Sequence, residues 1–116
     1  MKNITLFYNP KCSKCRKALE ILKNKNIEPE LCFYLEGNLT KSQIKSILIG
    51  LKQSPRAIMR TDEKEYKEYG LSDNKLSSDN LINYILKYPK LLQRPILVIG
   101  DKAAIGRPPE NILEIL

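Results

Sequence analysis

Ile4-Thr5-Leu6-Phe7-Tyr8-Asn9-Pro10-Lys11-Cys12-Ser13-Lys14-Cys15-Arg16 is the stretch from which the rest of the chain can be read. Ile4 to Tyr8 is a short, mostly apolar run with strand character, and Asn9-Pro10-Lys11 breaks it as a turn. Beyond the turn, Cys15, Ala18, Leu19 and Leu22 recur at i, i+3, i+4 and i+7, the signature of an amphipathic helix. Ser13 can satisfy free amides near its start, and Asn24-Lys25-Asn26 supplies a stop. Ile27-Glu28-Pro29 then leads into a second strand over Leu31 to Leu35. Strand, helix and strand in this order predict a parallel crossover unit.

Further along, Thr40 followed by Gln43 reads as a capping box for a helix that buries Ile44, Ile47, Leu48 and Leu51. Lys52-Gln53-Ser54-Pro55 interrupts it, with Pro55 suited to open a short helical piece through Met59. Thr61 or Asp62 can cap another helix ending near Gly70, and Ser77-Ser78-Asp79 opens a fourth that buries Leu81, Ile82, Ile85 and Leu86. Ile96 to Ile99 reads as a buried strand, Gly100-Asp101 as a two-residue turn, and Lys102 to Ile105 as the antiparallel return. Asn111 to Leu116 reads as a terminal helix covering the sheet. The predicted fold is α/β: a four-stranded mixed sheet, βαβ then ββα, with a helical insertion between strands 2 and 3. With no internal repeat, low-complexity tract or linker, residues 1–116 read as a single domain.

The chain has 116 residues, 42% of them hydrophobic and 28% charged, the balance of a soluble globular protein with a real core. No apolar run reaches the roughly 18 residues that a membrane span needs, and the N-terminus lacks the apolar region of a signal peptide. A cytoplasmic location is the expectation. Histidine is absent, which removes a histidine base and any zinc site built on imidazole. Three cysteines are an odd number, unsuited to a secreted disulfide framework and too few for an all-thiolate zinc site, so no metal is expected. The net charge of +7 is spread over scattered lysines with no block of like charge, which argues against direct nucleic-acid binding. Arginine is rare by contrast: only Arg16, Arg56, Arg60, Arg94 and Arg107. Such arginines suit bidentate grip on an oxyanion.

Cys12 lies where a turn meets a helix start. Free amides and the helix dipole at such a place lower a thiol's pKa, and Lys11, Lys14 and Arg16 add positive charge. The same amides can receive an oxyanion. Cys15, one turn on, has two readings: a thiol that resolves an adduct on Cys12, or a small apolar residue of the buried stripe. Cys32, within the second strand, reads as core. Pro95 directly precedes the third strand.

Tyr8-Asn9-Pro10-Lys11-Cys12-Ser13-Lys14-Cys15-Arg16 resembles the active-site loop of glutaredoxin-dependent arsenate reductases, a family with a thioredoxin-like fold. Ser54 to Arg60 resembles that family's central basic segment, Leu92-Gln93-Arg94-Pro95-Ile96 its Arg-Pro strand entry, and Ile105 to Glu110 its C-terminal motif. The resemblance implies Cys12 as the nucleophile on arsenate or a similar oxyanion, and Arg60, Arg94 and Arg107 as substrate-binding residues. It implies a cis peptide bond before Pro95, glutathione as co-substrate without a bound cofactor, and recycling by glutaredoxin or thioredoxin. Arg94→Ala and Arg107→Ala are then expected to weaken oxyanion binding while leaving the Cys12 titration largely intact. Members of the family carry a histidine near position 8 and often a non-thiol residue at position 15, and this chain departs from both. Two rival readings share the fold: a Spx-type regulator that binds RNA polymerase and senses oxidation through a Cys-x-x-Cys switch, and a general thiol-disulfide reductase.

Overall fold

The apolar run at the head of the chain becomes strand β1 (Ile4–Phe7), and the periodic stretch after the turn becomes helix α1 (Ser13–Asn24). The computed structural model describes residues 3–116; Met1 and Lys2, the start of the expected domain, lie outside the described residues. Strand β2 (Glu30–Cys32) pairs parallel to β1, with Leu6 opposite Leu31. Strand β3 (Ile96–Ile99) runs antiparallel on the other side of β1, and β4 (Lys102–Ile105) closes the hairpin through Gly100 at φ +58°. The order β2-β1-β3-β4 is the mixed four-stranded sheet expected of a thioredoxin-like chain.

Strand periodicity sorts side chains to two faces. Leu6, Leu97 and Ile99 pack with Cys15, Ala18 and Leu22 of α1 and with Ile112. Phe7, Ile96 and Val98 face the opposite way, against helices α2 (Lys41–Leu51) and α4 (Ser78–Lys87) through Ile44, Ile47, Leu81 and Ile85. Both helices begin with a closed capping box, Thr40 with Gln43 and Ser77 with Asn80. Helix α2 approaches β4 so closely that a Cβ on Gly50 would stand 2.7 Å from the Ala103 Cβ and backbone nitrogen.

Three elements differ from the sequence reading. Strand β2 stops at Cys32 rather than reaching Leu35, because Tyr34–Glu36 winds into a 3₁₀ turn that Glu36 N–H closes on Phe33 O at 2.9 Å. Gly37, at φ +82°, ends that turn. Helix α3 is short (Lys64–Glu68) and starts from Glu63 instead of Thr61 or Asp62, since those two residues form a turn closed by Glu63 N–H to Arg60 O at 3.2 Å. The last helix is a 3₁₀ segment over Pro109–Ile115, where Asn111 N–H bonds Pro108 O three residues back.

Candidate active site

Helix α1 takes its N-cap from Cys12, whose backbone is extended at φ −93° and ψ 120°. This position is normally filled by an oxygen that accepts an amide at the third helical residue. Here that residue is Cys15. The Cys12 side chain closes no capping hydrogen bond, and as a thiolate it would be the stronger acceptor for the Cys15 N–H that faces it. Burial alone pushes the Cys12 thiol up, but the facing backbone N–H of Cys15, the Cys15 thiol and Arg94 outweigh it and hold the group below its ordinary value. Cys15 behaves in the opposite sense. It is wholly buried, and burial pushes its pKa up to about 12 against a pull downward from the Asn9 backbone, with the Cys12 charge adding to the rise. The two sulfurs are thus pushed in opposite directions, Cys12 towards the thiolate and Cys15 towards the thiol.

Arg94 reaches this pair from the loop that enters β3. Its peptide bond to Pro95 is cis, and so is the bond between Arg107 and Pro108. Gly106 packs against the Pro95 ring; a Cβ there would fall 2.7 Å from Pro95 Cγ and 3.3 Å from Ile112 Cγ2. Gly106 N–H also donates to Pro95 O at 2.8 Å, and Arg107 Nη1 donates to Arg94 O at 3.2 Å. The Nε of Arg94 is buried and has no hydrogen-bond partner. A buried guanidinium N–H without an acceptor is costly, and an oxyanion beside Cys12 would supply one.

Arg60 belongs to a segment paired with the one that leads to Arg94. Met59 and Leu92 form an isolated antiparallel bridge, Arg60 N–H donates to Leu91 O at 2.6 Å, and Gln93 N–H donates to Ile58 O at 2.8 Å. Because the pairing is antiparallel, Arg60 lies opposite Leu91 while Arg94 leaves the other end of the bridge. Tyr34 is buried within electrostatic reach of these groups. Its side chain is 1% exposed, and burial is the main cause that raises its hydroxyl pKa. The charges of Arg94, Cys15, Cys12 and Arg60 act on it in turn, which puts one phenol within electrostatic reach of four predicted site residues.

Cys12, Cys15 and Arg94 thus stand together, and Arg60 is near enough for its charge to act on the same Tyr34 hydroxyl. Arg107 is exposed and joins through the Arg94 carbonyl rather than through a sulfur. The cations expected to activate Cys12 are replaced by Arg94. Arg16 instead turns its Nη1 to Pro10 O at 2.8 Å, securing the cysteine loop. Arg56 is structural too, with Nε on Leu71 O at 3.1 Å and Nη2 on Asp73 O. Cys32 is buried with its sulfur 3.9 Å from Asn38 O. Tyr34 was missed because its stretch reads as strand, and no spacing rule marks a phenol that turns inward after a strand ends.

A cleft of about 260 Å³ flanks the loop, lined by Tyr8, Asn9, Pro10, Lys11, Phe33, Leu35 and Glu36. Among the described residues no group of three or more histidine, cysteine or acidic side chains is placed to hold a metal ion. No helix among them is long and apolar enough to cross a membrane.

The ArsC family model matches residues 7–115 of the chain. The uncharacterised protein YfgD of Escherichia coli (strain K12) is 43% identical, over 99% of this chain and 98% of its own length. An arsenate reductase of Haemophilus influenzae is 40% identical over 98% of this chain and 99% of its own. The solved structure of an arsenate reductase from Vibrio cholerae superposes with a TM-score of 0.93 at 41% identity, covering 99% of this chain and 98% of that one.

Proposed function

The chain belongs to the ArsC family, and from that membership we propose that it is an arsenate reductase with Cys12 as its nucleophile. The single observation that carries the site assignment is Arg94, whose guanidinium favours the Cys12 thiolate while its own buried Nε lacks an acceptor. A side chain that both activates a nucleophile and offers a free donor suits a tetrahedral oxyanion held in line with the sulfur. Arg60 and Arg107 complete the clamp in this reading.

In the first step the Cys12 sulfur attacks arsenic. An S–As bond forms, and one arsenate oxygen takes up two protons and leaves as water. A second thiol then attacks the Cys12 sulfur. The S–S bond forms as the S–As bond breaks, the bonding pair stays on arsenic, and As(V) becomes As(III), released as arsenite. The disulfide carries the two oxidising equivalents until a further thiol reduces it. Cys15 is a poor attacking thiol at neutral pH, being buried with its pKa raised to about 12. It serves as hydrogen-bond partner of the Cys12 thiolate, and glutathione from solution supplies the second thiol, with glutaredoxin restoring Cys12.

Arsenite formation from arsenate tests the scheme, with glutathione plus glutaredoxin compared against thioredoxin. Cys12→Ser is expected to abolish turnover, and Cys15→Ser to retain most of it with glutathione and glutaredoxin. Full turnover by Cys12→Ser would end the mechanism. Turnover that needs Cys15 and runs on thioredoxin would make Cys15 the attacking thiol.

A further inference from the structure

Arg60 is held at both ends. Its backbone is fixed by Leu91 O, and its Nη1 meets Glu63 Oε1 at 2.7 Å. Glu63 is itself fixed, since it is the N-cap of α3 and its N–H returns to Arg60 O at 3.2 Å. The four-residue turn is therefore closed once through backbone and once through side chains. Ion pairs three apart are usually solvated and weak. Lys17 with Glu20 is of that kind, at 51% and 61% side-chain exposure, but Arg60 and Glu63 are only 20% and 22% exposed. Shielding on both sides lets this pair hold a geometry.

The contact is made at Nη1, one of three guanidinium nitrogens that carry five N–H donors between them. An arginine whose fork was fully used by a carboxylate could not grip a substrate; one tethered by a single bond can, and loses less rotamer freedom in doing so.

We propose that Glu63 is a positioning residue, which tethers Arg60 through one N–H and presents the remaining donors to the oxyanion on Cys12. The inference rests on the clamp reading given under the proposed function. It is supported by the Arg60 charge being felt at Tyr34 together with those of Arg94 and the two cysteines.

Four variants test it by steady-state arsenate reduction: Glu63→Ala, Glu63→Gln, Arg60→Ala and the double Arg60→Ala/Glu63→Ala. Glu63→Ala is expected to raise KM for arsenate about tenfold, the size of one charge-assisted hydrogen bond, with kcat within about twofold. Glu63→Gln keeps an acceptor for Nη1 and should recover most of that loss. The double variant should match Arg60→Ala, because Glu63 acts only through Arg60. Arsenate protection of Cys12 from alkylation, read on the same variants, should weaken in parallel, and a thermal melt reports whether each has folded. The proposal is overturned if Arg60→Ala raises KM while Glu63→Ala does not, or if the two losses multiply in the double variant. If Arg60→Ala itself leaves KM unchanged, the clamp reading has failed and the proposal falls with it.

Discussion

Arg94→Met keeps the aliphatic stem and removes the guanidinium, which separates thiol activation from packing. In the native protein burial raises the Cys12 pKa, and Cys15 and Arg94 together reverse that. A hydrogen bond to a charged group is worth about 1.5–3 kcal/mol, and one pKa unit corresponds to about 1.4 kcal/mol. The lower end applies, since Arg94 is only half-buried and the Cys15 contacts remain. The Cys12 midpoint should therefore rise, because about 1.5 kcal/mol is lost from the thiolate form alone. Where the pH lies below both midpoints, the thiolate fraction falls about tenfold while each thiolate becomes roughly threefold more nucleophilic, so alkylation slows by about threefold. Arsenate turnover should fall much further, because the free Nε donor is lost as well. A thiol whose folded pKa is depressed contributes stability that is present above its unfolded pKa and is lost as pH falls through the folded value. The native protein's advantage over Arg94→Met from this source should thus shrink on acidification. Ultraviolet thiolate absorbance against pH measures the midpoint, with Cys12→Ser as the blank and Arg107→Met as the control. The reasoning is refuted if Arg94→Met titrates like the native protein, or if Arg107→Met shifts the midpoint equally.

Tyr34→Phe retains the buried ring and removes the hydroxyl, so stability should change by no more than about 1 kcal/mol while arsenate kcat/KM drops about tenfold; urea unfolding and steady-state kinetics decide this together. Gly106→Ala drives a methyl into the rigid Pro95 ring and should cost about 1–3 kcal/mol while raising KM, because Arg94 shifts with Pro95; unchanged KM in the folded variant would show that the contact does not position Arg94. Gly50→Ala sets about 1 kcal/mol of helix propensity against a collision with the backbone of β4, where 2.7 Å must open towards ordinary contact. The collision should prevail by about 1–2 kcal/mol with activity per folded molecule intact, and a rise in the urea midpoint would mean that helix propensity prevails instead.

What could be read from the sequence is what local spacing controls. The i, i+3, i+4, i+7 stripe gave α1, the Thr40-Gln43 pair gave the start of α2, and Gly100-Asp101 gave the hairpin between β3 and β4. Cys12 was legible because turn and helix meet at one residue. Arg94 could be read as a candidate oxyanion residue but not as the cation that faces Cys12, because nothing local ties position 94 to position 12. The cations close in sequence looked sufficient, yet Arg16 bonds a loop carbonyl instead. The same holds for Tyr34 and Glu63. The first depends on where β2 stops, and the second on a turn that places a carboxylate against an arginine three residues earlier.

The pairing of β1 with β3 sets a schedule for the nascent chain. Cys12 leaves the ribosome early, but the strand that pairs antiparallel with β1, the arginine that favours its thiolate and the glycine seated on Pro95 come from residues 94 to 106. Until that segment has been made and has joined the sheet, the Arg94 contribution to the surroundings of Cys12 is missing. The site is thus completed last around a residue made near the beginning.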